Sequence, residues 1–256
     1  MIECKIDGNI AVITLNNPSA NTFTDKGLLR LTELVDELNR NSNVYAAVVT
    51  GAGEKFFSAG ADLKSFADGD KIQARVMAQR FGAAFGALQE ARPVVIAAIN
   101  GYAMGGGLEC ALVCDMRIAE EHAQMALPEA SVGLLPCGCG TQTLPWLVGE
   151  GWAKRMILSN ERVDAQTALR IGLVEEVVPR GKSLSLAMDW AKRASGLSPK
   201  AIAFSKALIH QAREGTPREA ALALERERFM DLFDHGDTAE GVSAFLEKRK
   251  PEWKNT

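Results

Sequence analysis

Short apolar runs recur along the first two thirds of the chain. Three of them, IAVITL (10–15), VYAAVVT (44–50) and RPVVIAAIN (92–100), show little alternation between apolar and polar positions. Such runs are typical of strands that are buried on both faces, as in parallel sheets. A fourth run, residues 173–178, has the same character. The pattern therefore predicts a largely buried sheet.

Helical spacing of apolar residues lies between these runs. The segment DKGLLRLTELVDELNRN places Leu28, Leu31 and Leu38 on one face, and Thr24 precedes it as the predicted N-cap. Residues 61–90 are also predicted to be helical, with a polar interruption near Asp68–Asp70. Alternating strands and helices imply parallel crossovers and an α/β core.

The last quarter of the chain is predicted to be helical throughout. Ser198 and Pro199 begin one helix, and Thr216 is predicted to cap the next through a T-x-x-E capping box with Glu219. The apolar faces of these helices must be buried against another surface. Packing on the core and a subunit interface remain equal alternatives.

The composition and net charge of the chain exclude some classes of protein. With 47% hydrophobic residues and a net charge of −3, the 256-residue chain has a normal core and no basic footprint for nucleic acid. The start resembles no signal peptide, and the longest apolar stretch is short for a membrane span, so we expect a cytoplasmic protein. Five cysteines without the usual zinc spacing favour free thiols over disulfides or a metal site.

Two glycine-bearing loops, FSAGAD and NGYAMGGG, each follow a predicted strand and precede a helix. Backbone N–H groups near Ala61 and Gly106 could together hold an oxygen that gains negative charge, as in an oxyanion hole. The alternative is that the glycines only permit a close contact between a helix and a strand. Neither loop matches a P-loop or a dinucleotide-binding fingerprint.

Two glutamates stand out in apolar surroundings. Glu109 falls in the first turn of the helix that GGGLECALVC begins, and Glu129 lies in the loop ALPEASVGLLP. Facing each other in a dry pocket, they would supply a base and an acid. The alternatives are that Glu109 is an ordinary acidic residue at a helix start and that Glu129 is an exposed acidic residue in a loop. Nucleophile hypotheses for Ser131, Cys110 and Cys114 lack an activating environment.

Five segments that occur in order along the chain point to one family. They are GEKFFSAGADLK, RPVVIAAINGYAMGGGLECALVCDMRIA, MALPEASVGLLP, GTQTLPWLVG and AEGVSAFLEKRKPEW. In these segments the chain resembles the enoyl-CoA hydratase/isomerase (crotonase) family. The resemblance implies an α/β fold, a crotonase-like spiral of ββα units with a C-terminal helical trimerisation region. It implies a catalytic core over residues 1–196, a helical oligomerisation region over 197–256, and homotrimers that often pair into hexamers.

The resemblance also implies an activity. Members with both glutamates add water to a 2-enoyl-CoA, giving a 3-hydroxyacyl-CoA, with the thioester oxygen held by the amides of Ala61 and Gly106. Glu109 would then orient and deprotonate water, and Glu129 would handle the proton at Cα. No metal or redox cofactor is implied. A double-bond isomerase and a non-catalytic acyl-CoA-binding subunit are the alternatives. The acyl group and the pathway, fatty-acid β-oxidation among others, stay open.

Family position suggests further contacts with the acyl-CoA thioester. Ala59 would lie near the adenine and Lys55 or Lys64 near the phosphates, whereas the C-terminal residues would reach the coenzyme partly from a neighbouring subunit. The full set is Lys55, Ala59, Gly60, Asp62, Lys64, Cys137, Phe229, Phe245 and Lys248. The sequence departs from the family's usual P-G-x-G-G-T-Q, because PCGCGTQ has Cys137 and Cys139 where glycines are common. Their β-carbons should narrow the acyl pocket or stiffen the loop.

Overall fold

The computed structural model describes residues 1–254, in which long strands, short strands and helices follow one another repeatedly. The strands are β1 (Ile2–Asp7), β2 (Ile10–Leu15), β3 (Ala46–Gly51), β4 (Phe56–Ser58), β5 (Val94–Ile99), β6 (Tyr102–Met104), β7 (Met116–Glu120), β8 (Gln124–Ala126), β9 (Val163–Asp164) and β10 (Glu176–Val178). The α-helices are α1 (Asp25–Arg40), α2 (Lys71–Gln89), α3 (Gly106–Leu112), α4 (Gly140–Leu158), α5 (Ala165–Arg170), α6 (Ser183–Ser195), α7 (Pro199–Gln211), α8 (Arg218–Asp231) and α9 (Gly236–Leu246).

The long strands form one sheet and the short strands another. The first sheet has the order β1-β2-β3-β5-β7-β10, parallel except for the antiparallel pair β1–β2, and Val48 lies between Val12 and Ile96. All six residues of β3 and of β5 are buried, which explains their uninterrupted apolar sequences. The second sheet, β4-β6-β8-β9, consists of strands of two or three residues, too short for a sequence period to indicate.

The chain passes from a long strand to a short strand and then to a helix, three times in succession, from β3 to α2, from β5 to α3 and from β7 to α4. This is the predicted spiral of ββα units. At its centre α3 packs directly on β4, since a β-carbon built at Gly107 would lie 2.2 Å from the carbonyl oxygen of Ser58. Only glycine permits this approach.

The first two helices begin as predicted. Thr24 caps α1 by accepting a hydrogen bond from the N–H of Gly27. The predicted polar interruption separates a 3-10 helix, Leu63–Phe66, from α2, which Asp70 caps through the N–H of Ile72. Across the two helices, Arg80 pairs with Asp25 at 2.9 Å.

Of the two helix caps predicted in the C-terminal region, the structure contains one and lacks the other. The hydroxyl of Ser198 accepts from the N–H of Ala201 at the start of α7. Thr216, in contrast, is not the cap of α8, and the predicted capping box is wrong. Pro217, in an extended conformation, occupies the N-cap position, so α8 begins one residue later, without a side-chain cap.

The C-terminal region leaves large apolar side chains exposed, notably Phe229 on α8, Phe233 in the short 3-10 helix Leu232–Asp234 and Phe245 on α9. Near its end the chain returns to the core, where Trp253 donates to the carbonyl of Gly196 and accepts from Tyr45. The last two residues of the predicted region 197–256 lie outside the described residues, and its boundary stays a prediction. Within 1–254 we find no helix long and apolar enough to cross a membrane.

Candidate active site

A cavity of about 350 Å³ lies between the two glycine-bearing loops and the loop after β8. The four residues predicted to be catalytic all line it: Ala61, Gly106, Glu109 and Glu129. Among the other residues lining it, Asp62 and Cys137 are ionisable and most of the rest are apolar. The cavity therefore combines mainly apolar walls with acidic groups.

Strand geometry sets the direction of the amide of Ala61, a residue that lines this cavity. In the bridge between Phe23 and Ala61, Phe23 donates to the carbonyl of Gly60 at 2.8 Å and accepts from the N–H of Asp62 at 3.0 Å. Alternate residues of an extended chain point their N–H groups to opposite sides. The N–H of Ala61 consequently points away from Phe23.

The amide of Gly106 lies beside this segment. Gly106 is the first residue of α3, after Gly105 with a φ of 55°. A β-carbon built at Gly60 would lie only 2.9 Å from the nitrogen of Gly106, so the two backbones touch. Over the described part of the chain, the amides of Ala61 and Gly106 donate to no protein acceptor. Two neighbouring amides without protein acceptors are free to bind one ligand oxygen that gains negative charge.

Glu109 is held by three backbone amides. Its side chain is buried, and Oε1 accepts from the N–H groups of Gly138 at 2.9 Å, Cys139 at 2.9 Å and Gly140 at 2.7 Å. These three donors fix the position of the carboxylate and provide the partners that a buried acid requires. We call residues 138–140 the amide cradle.

Glu129 has a different environment. It begins a short 3-10 helix, and its Oε1 would lie 2.9 Å from a β-carbon built at Gly105. Its Oε2 is buried and has no hydrogen-bond partner among residues 1–254. Burial, opposed by its own backbone N–H and assisted by the nearby charge of Glu109, raises the pKa of this carboxyl to about 7.

The thiols around the site are not activated. Partial desolvation, with added effects of Glu109 and Glu129, raises the pKa of the Cys137 thiol to about 11, although the residue is exposed at the cavity edge. Burial also raises the pKa of Cys139, whose Sγ donates to the carbonyl of Glu109 at 3.4 Å. Cys110 and Cys114 are buried free thiols. In residues 1–254 no cluster of side chains suitable for a metal ion is found.

The predicted coenzyme contacts are only partly assembled at the cavity. Ala59, Asp62 and Cys137 line it, whereas Gly60 lies behind with its N–H donated to the Ser58 hydroxyl. The remaining predicted residues do not contribute to the lining: Lys55, Lys64, Phe229, Phe245 and Lys248. Phe245 is 83% exposed on α9. Their contacts with the coenzyme stay predictions.

Several cavity residues were not predicted from the sequence. The apolar walls come from Leu63, Phe66, Phe81, Val132, Leu134 and Leu135. The amide cradle was also missed, because it acts through backbone groups about 30 residues away from Glu109. The only signal for Phe81 was its position on the apolar face of α2.

Comparison with known proteins agrees with the fold and the motifs. The family model described as enoyl-CoA hydratase/isomerase matches residues 5–256. A short-chain-enoyl-CoA hydratase of Clostridium acetobutylicum is 38% identical over 247 residues, covering 96% of this chain and 94% of that protein. A 2,3-dehydroadipyl-CoA hydratase of Escherichia coli K12 is 38% identical, covering 96% and 95%.

Solved structures give the same result. Pseudomonas aeruginosa DspI is 63% identical, with a TM-score of 0.96 and coverage of 99% of this chain and 96% of that one. An enoyl-CoA hydratase from Bacillus anthracis is 35% identical, with a TM-score of 0.95 and coverage of 100% and 99%. The spiral of two sheets and the C-terminal helices are therefore shared with these structures.

Proposed function

The chain belongs to the enoyl-CoA hydratase/isomerase family, and on that premise we propose that it is a hydro-lyase that adds water to a 2-enoyl-CoA thioester, giving a 3-hydroxyacyl-CoA. The observation that supports this best is the presence of Glu109 and Glu129 in one cavity with the amides of Ala61 and Gly106. Water addition needs a base, an acid and a stabiliser of enolate charge, and these four residues can supply all three.

In the proposed reaction, the thioester oxygen accepts hydrogen bonds from the N–H groups of Ala61 and Gly106. Attack on Cβ moves the electrons of the C=C bond toward this oxygen, which gains negative charge. Two fixed donors stabilise that charge without reorganising during the step, and each such donor is worth roughly 10²–10³ in rate. Both amides are free of protein acceptors in the described chain, which leaves them available for this role.

The two glutamates divide the proton transfers. Glu109 accepts a proton from the attacking water through Oε2, because Oε1 already accepts three N–H groups. The C–O bond forms at Cβ, and Glu129 gives its proton to Cα. A proton then passes from Glu109 back to Glu129 through the shared network to restore the starting state. The raised pKa of Glu129 suits this acid, since near pH 7 much of it is protonated.

The proposal also includes the coenzyme contacts, the subunit assembly and the cellular location of the enzyme. The coenzyme portion of the substrate would contact Ala59 and Lys55 or Lys64, and a neighbouring subunit would add Phe229, Phe245 and Lys248. The assembly would be a homotrimer or a hexamer built from two trimers. The enzyme would act in the cytoplasm, in a pathway such as β-oxidation, and would need no cofactor beyond the coenzyme A of its substrate.

The test uses the purified chain with crotonyl-CoA. Loss of the conjugated-thioester absorbance is followed, and the product is identified by mass spectrometry. A product heavier by one water supports the proposal. A product of unchanged mass with a moved double bond would instead identify an isomerase. Binding without turnover across a series of 2-enoyl-CoA chain lengths would contradict the proposed activity.

A further inference from the structure

Three buried phenylalanine rings form a cluster at the cavity, and one of them, Phe81, lines it. Phe81 and Phe85 lie one turn apart on α2 with ring centroids 5.4 Å apart, and Phe23 lies 5.9 Å from the first and 5.6 Å from the second. All three contacts are edge-to-face, with interplanar angles of 67–79°. Edge-to-face packing restrains the position of each ring by its neighbours. We call these residues the aromatic triad.

Each member of the triad contacts a different backbone element of the site. The backbone of Phe23 makes the two hydrogen bonds that flank Ala61. A β-carbon built at Gly106 would lie 2.8 Å from Cε1 of Phe81, so that ring lies directly against the start of α3. A β-carbon built at Gly138 would lie 2.6 Å from Cδ2 of Phe85, which lies against the amide cradle.

We propose that the aromatic triad is a positioning unit, which sets the distance and angle between the two oxyanion-hole amides and the carboxylate of Glu109. The inference rests on the proposed function, because it assigns a role to these rings in that reaction. The triad needs no contact with a reacting atom for this role. It acts through Ala61, Gly106 and Gly138.

The physical basis is the precision that water addition requires. The oxygen in the oxyanion hole and the water at Glu109 must be placed together, and a displacement of about 1 Å costs about 100-fold in rate. Along the sequence, Ala61 lies 48 residues before Glu109, and Gly138 lies 29 residues after Glu109. The pairing of β4 with β6 brings the first two segments together, but within residues 1–254 no single strand or helix spans all three. The rings provide a common rigid contact for all of them.

A second contact fixes the helix that holds two of the rings. Arg80, adjacent to Phe81, pairs with Asp25 in the first turn of α1 at 2.9 Å. The first turn of α1 directly follows Phe23. This partly exposed ion pair adds a minor link between α1 and α2 to the ring contacts within the triad.

The competing explanation is ordinary core packing, and a matched pair of variants separates the two. Phe85→Leu loosens the contact with the amide cradle. Leu88→Ala, one turn further along α2 and equally buried, removes core volume at a residue that is not among the nearest neighbours of Gly106 or Gly138. Both should lower the melting temperature. We expect Phe85→Leu to lower kcat about 10- to 100-fold, with KM little changed, while Leu88→Ala keeps the kcat of wild type.

A double-mutant cycle tests the contact between Phe81 and Gly106. Gly106→Ala retains the N–H but forces its new methyl group against the ring, while its other close neighbour, Cα of Gly60, stays at an ordinary 3.7 Å. We expect each single substitution to reduce kcat by about 10-fold or more. Phe81→Leu added to Gly106→Ala should partly restore kcat, because the smaller side chain leaves room for the methyl group.

A spectroscopic readout, independent of turnover, completes the test. Isotope-edited infrared spectra of bound butyryl-CoA report how strongly the thioester carbonyl is polarised. Phe81→Leu should reduce the frequency shift seen in wild type more than Phe85→Leu does, because the ring of Phe81 lies directly against Gly106 and that of Phe85 lies against the amide cradle.

Proportional losses of kcat and stability in all variants, including Leu88→Ala, with no coupling between positions 81 and 106, would overturn the inference. Failure of wild type to hydrate any 2-enoyl-CoA would contradict the proposed function instead, and the infrared shifts would still report on the triad.

Discussion

Glu109 and Glu129 line the same cavity, yet their surroundings differ in almost every respect. Glu109 is buried with one oxygen surrounded by three backbone N–H groups. Glu129 is only partly buried, and its Oε2 has no protein partner within the described residues. The first carboxylate is fixed by hydrogen bonds, and the second is poorly solvated and unpaired.

The difference shows how one residue type can provide two functions. Hydrogen bonds from backbone amides orient a carboxylate and leave its free oxygen for a water molecule. Desolvation without hydrogen bonds favours the protonated acid, which can then donate its proton. In this account, the surrounding loops rather than the side chains themselves assign the base and the acid.

The largest effect should follow from replacing either carboxylate. We expect Glu109→Gln and Glu129→Gln each to lower kcat for hydration by about 10²–10⁴, with binding of a saturated acyl-CoA largely retained. Steady-state kinetics with crotonyl-CoA and calorimetric titration with butyryl-CoA measure the two quantities. Glu121→Gln, an exposed position outside the cavity lining, is the control. Full activity in either cavity variant would contradict the role assigned to that residue.

A backbone amide should matter nearly as much, although it belongs to neither glutamate. Ala61→Pro removes the N–H while Ala61→Gly retains it. We expect Ala61→Pro to lower kcat about 10²–10³-fold and Ala61→Gly to have a much smaller effect. Circular dichroism would verify that both variants fold. Equal activity of the two would show that the two carboxyl groups act without this donor.

The pH dependence distinguishes the two glutamates directly. The pKa of Glu129 is raised to about 7, mainly by burial, so the acid form is lost as pH rises through that value. We expect kcat/KM for hydration to fall about 10-fold for each pH unit above 7, as for any required acid. Glu129→Gln should show low activity without this decline. The same decline in that variant would mean that another group titrates.

The smallest effect concerns stability. The ordinary pKa of 4.5 for Glu129 rises to about 7 in the folded protein, so the folded state binds more protons between these values. Stability from this group is present below pH 4.5 and is lost as pH rises through 7. With allowance for solvent screening, we expect Glu129→Gln to be more stable than wild type at pH 8 by about 1–3 kcal/mol, and by less at pH 5. Urea unfolding at both pH values measures this difference.

Much of the site was predictable because its signals are local. The segments FSAGAD and NGYAMGGG, and the acids Glu109 and Glu129, stand out against apolar neighbours. The amide cradle was not predictable, because Gly138 gives no sign of bonding to a residue 29 positions earlier. Contacts between distant segments depend on the tertiary fold, which periodicity does not report.

The same limit applies to the fold. The buried strands β3 and β5 and the start of α1 agreed with the predictions, since each depends on its own residues. The second sheet was not predicted strand by strand, because its members have two or three residues. The error at Thr216 arose because Pro217 was placed inside the helix, whereas it occupies the N-cap position.

The most direct test of the division between the two carboxyl groups is proton exchange at Cα of butyryl-CoA in deuterated water. This saturated thioester cannot gain or lose water, so exchange needs only the base at Cα and the oxyanion hole. We expect wild type and Glu109→Gln to exchange the Cα protons and Glu129→Gln not to exchange them, as followed by NMR. Exchange that survives in Glu129→Gln but disappears in Glu109→Gln would contradict this division.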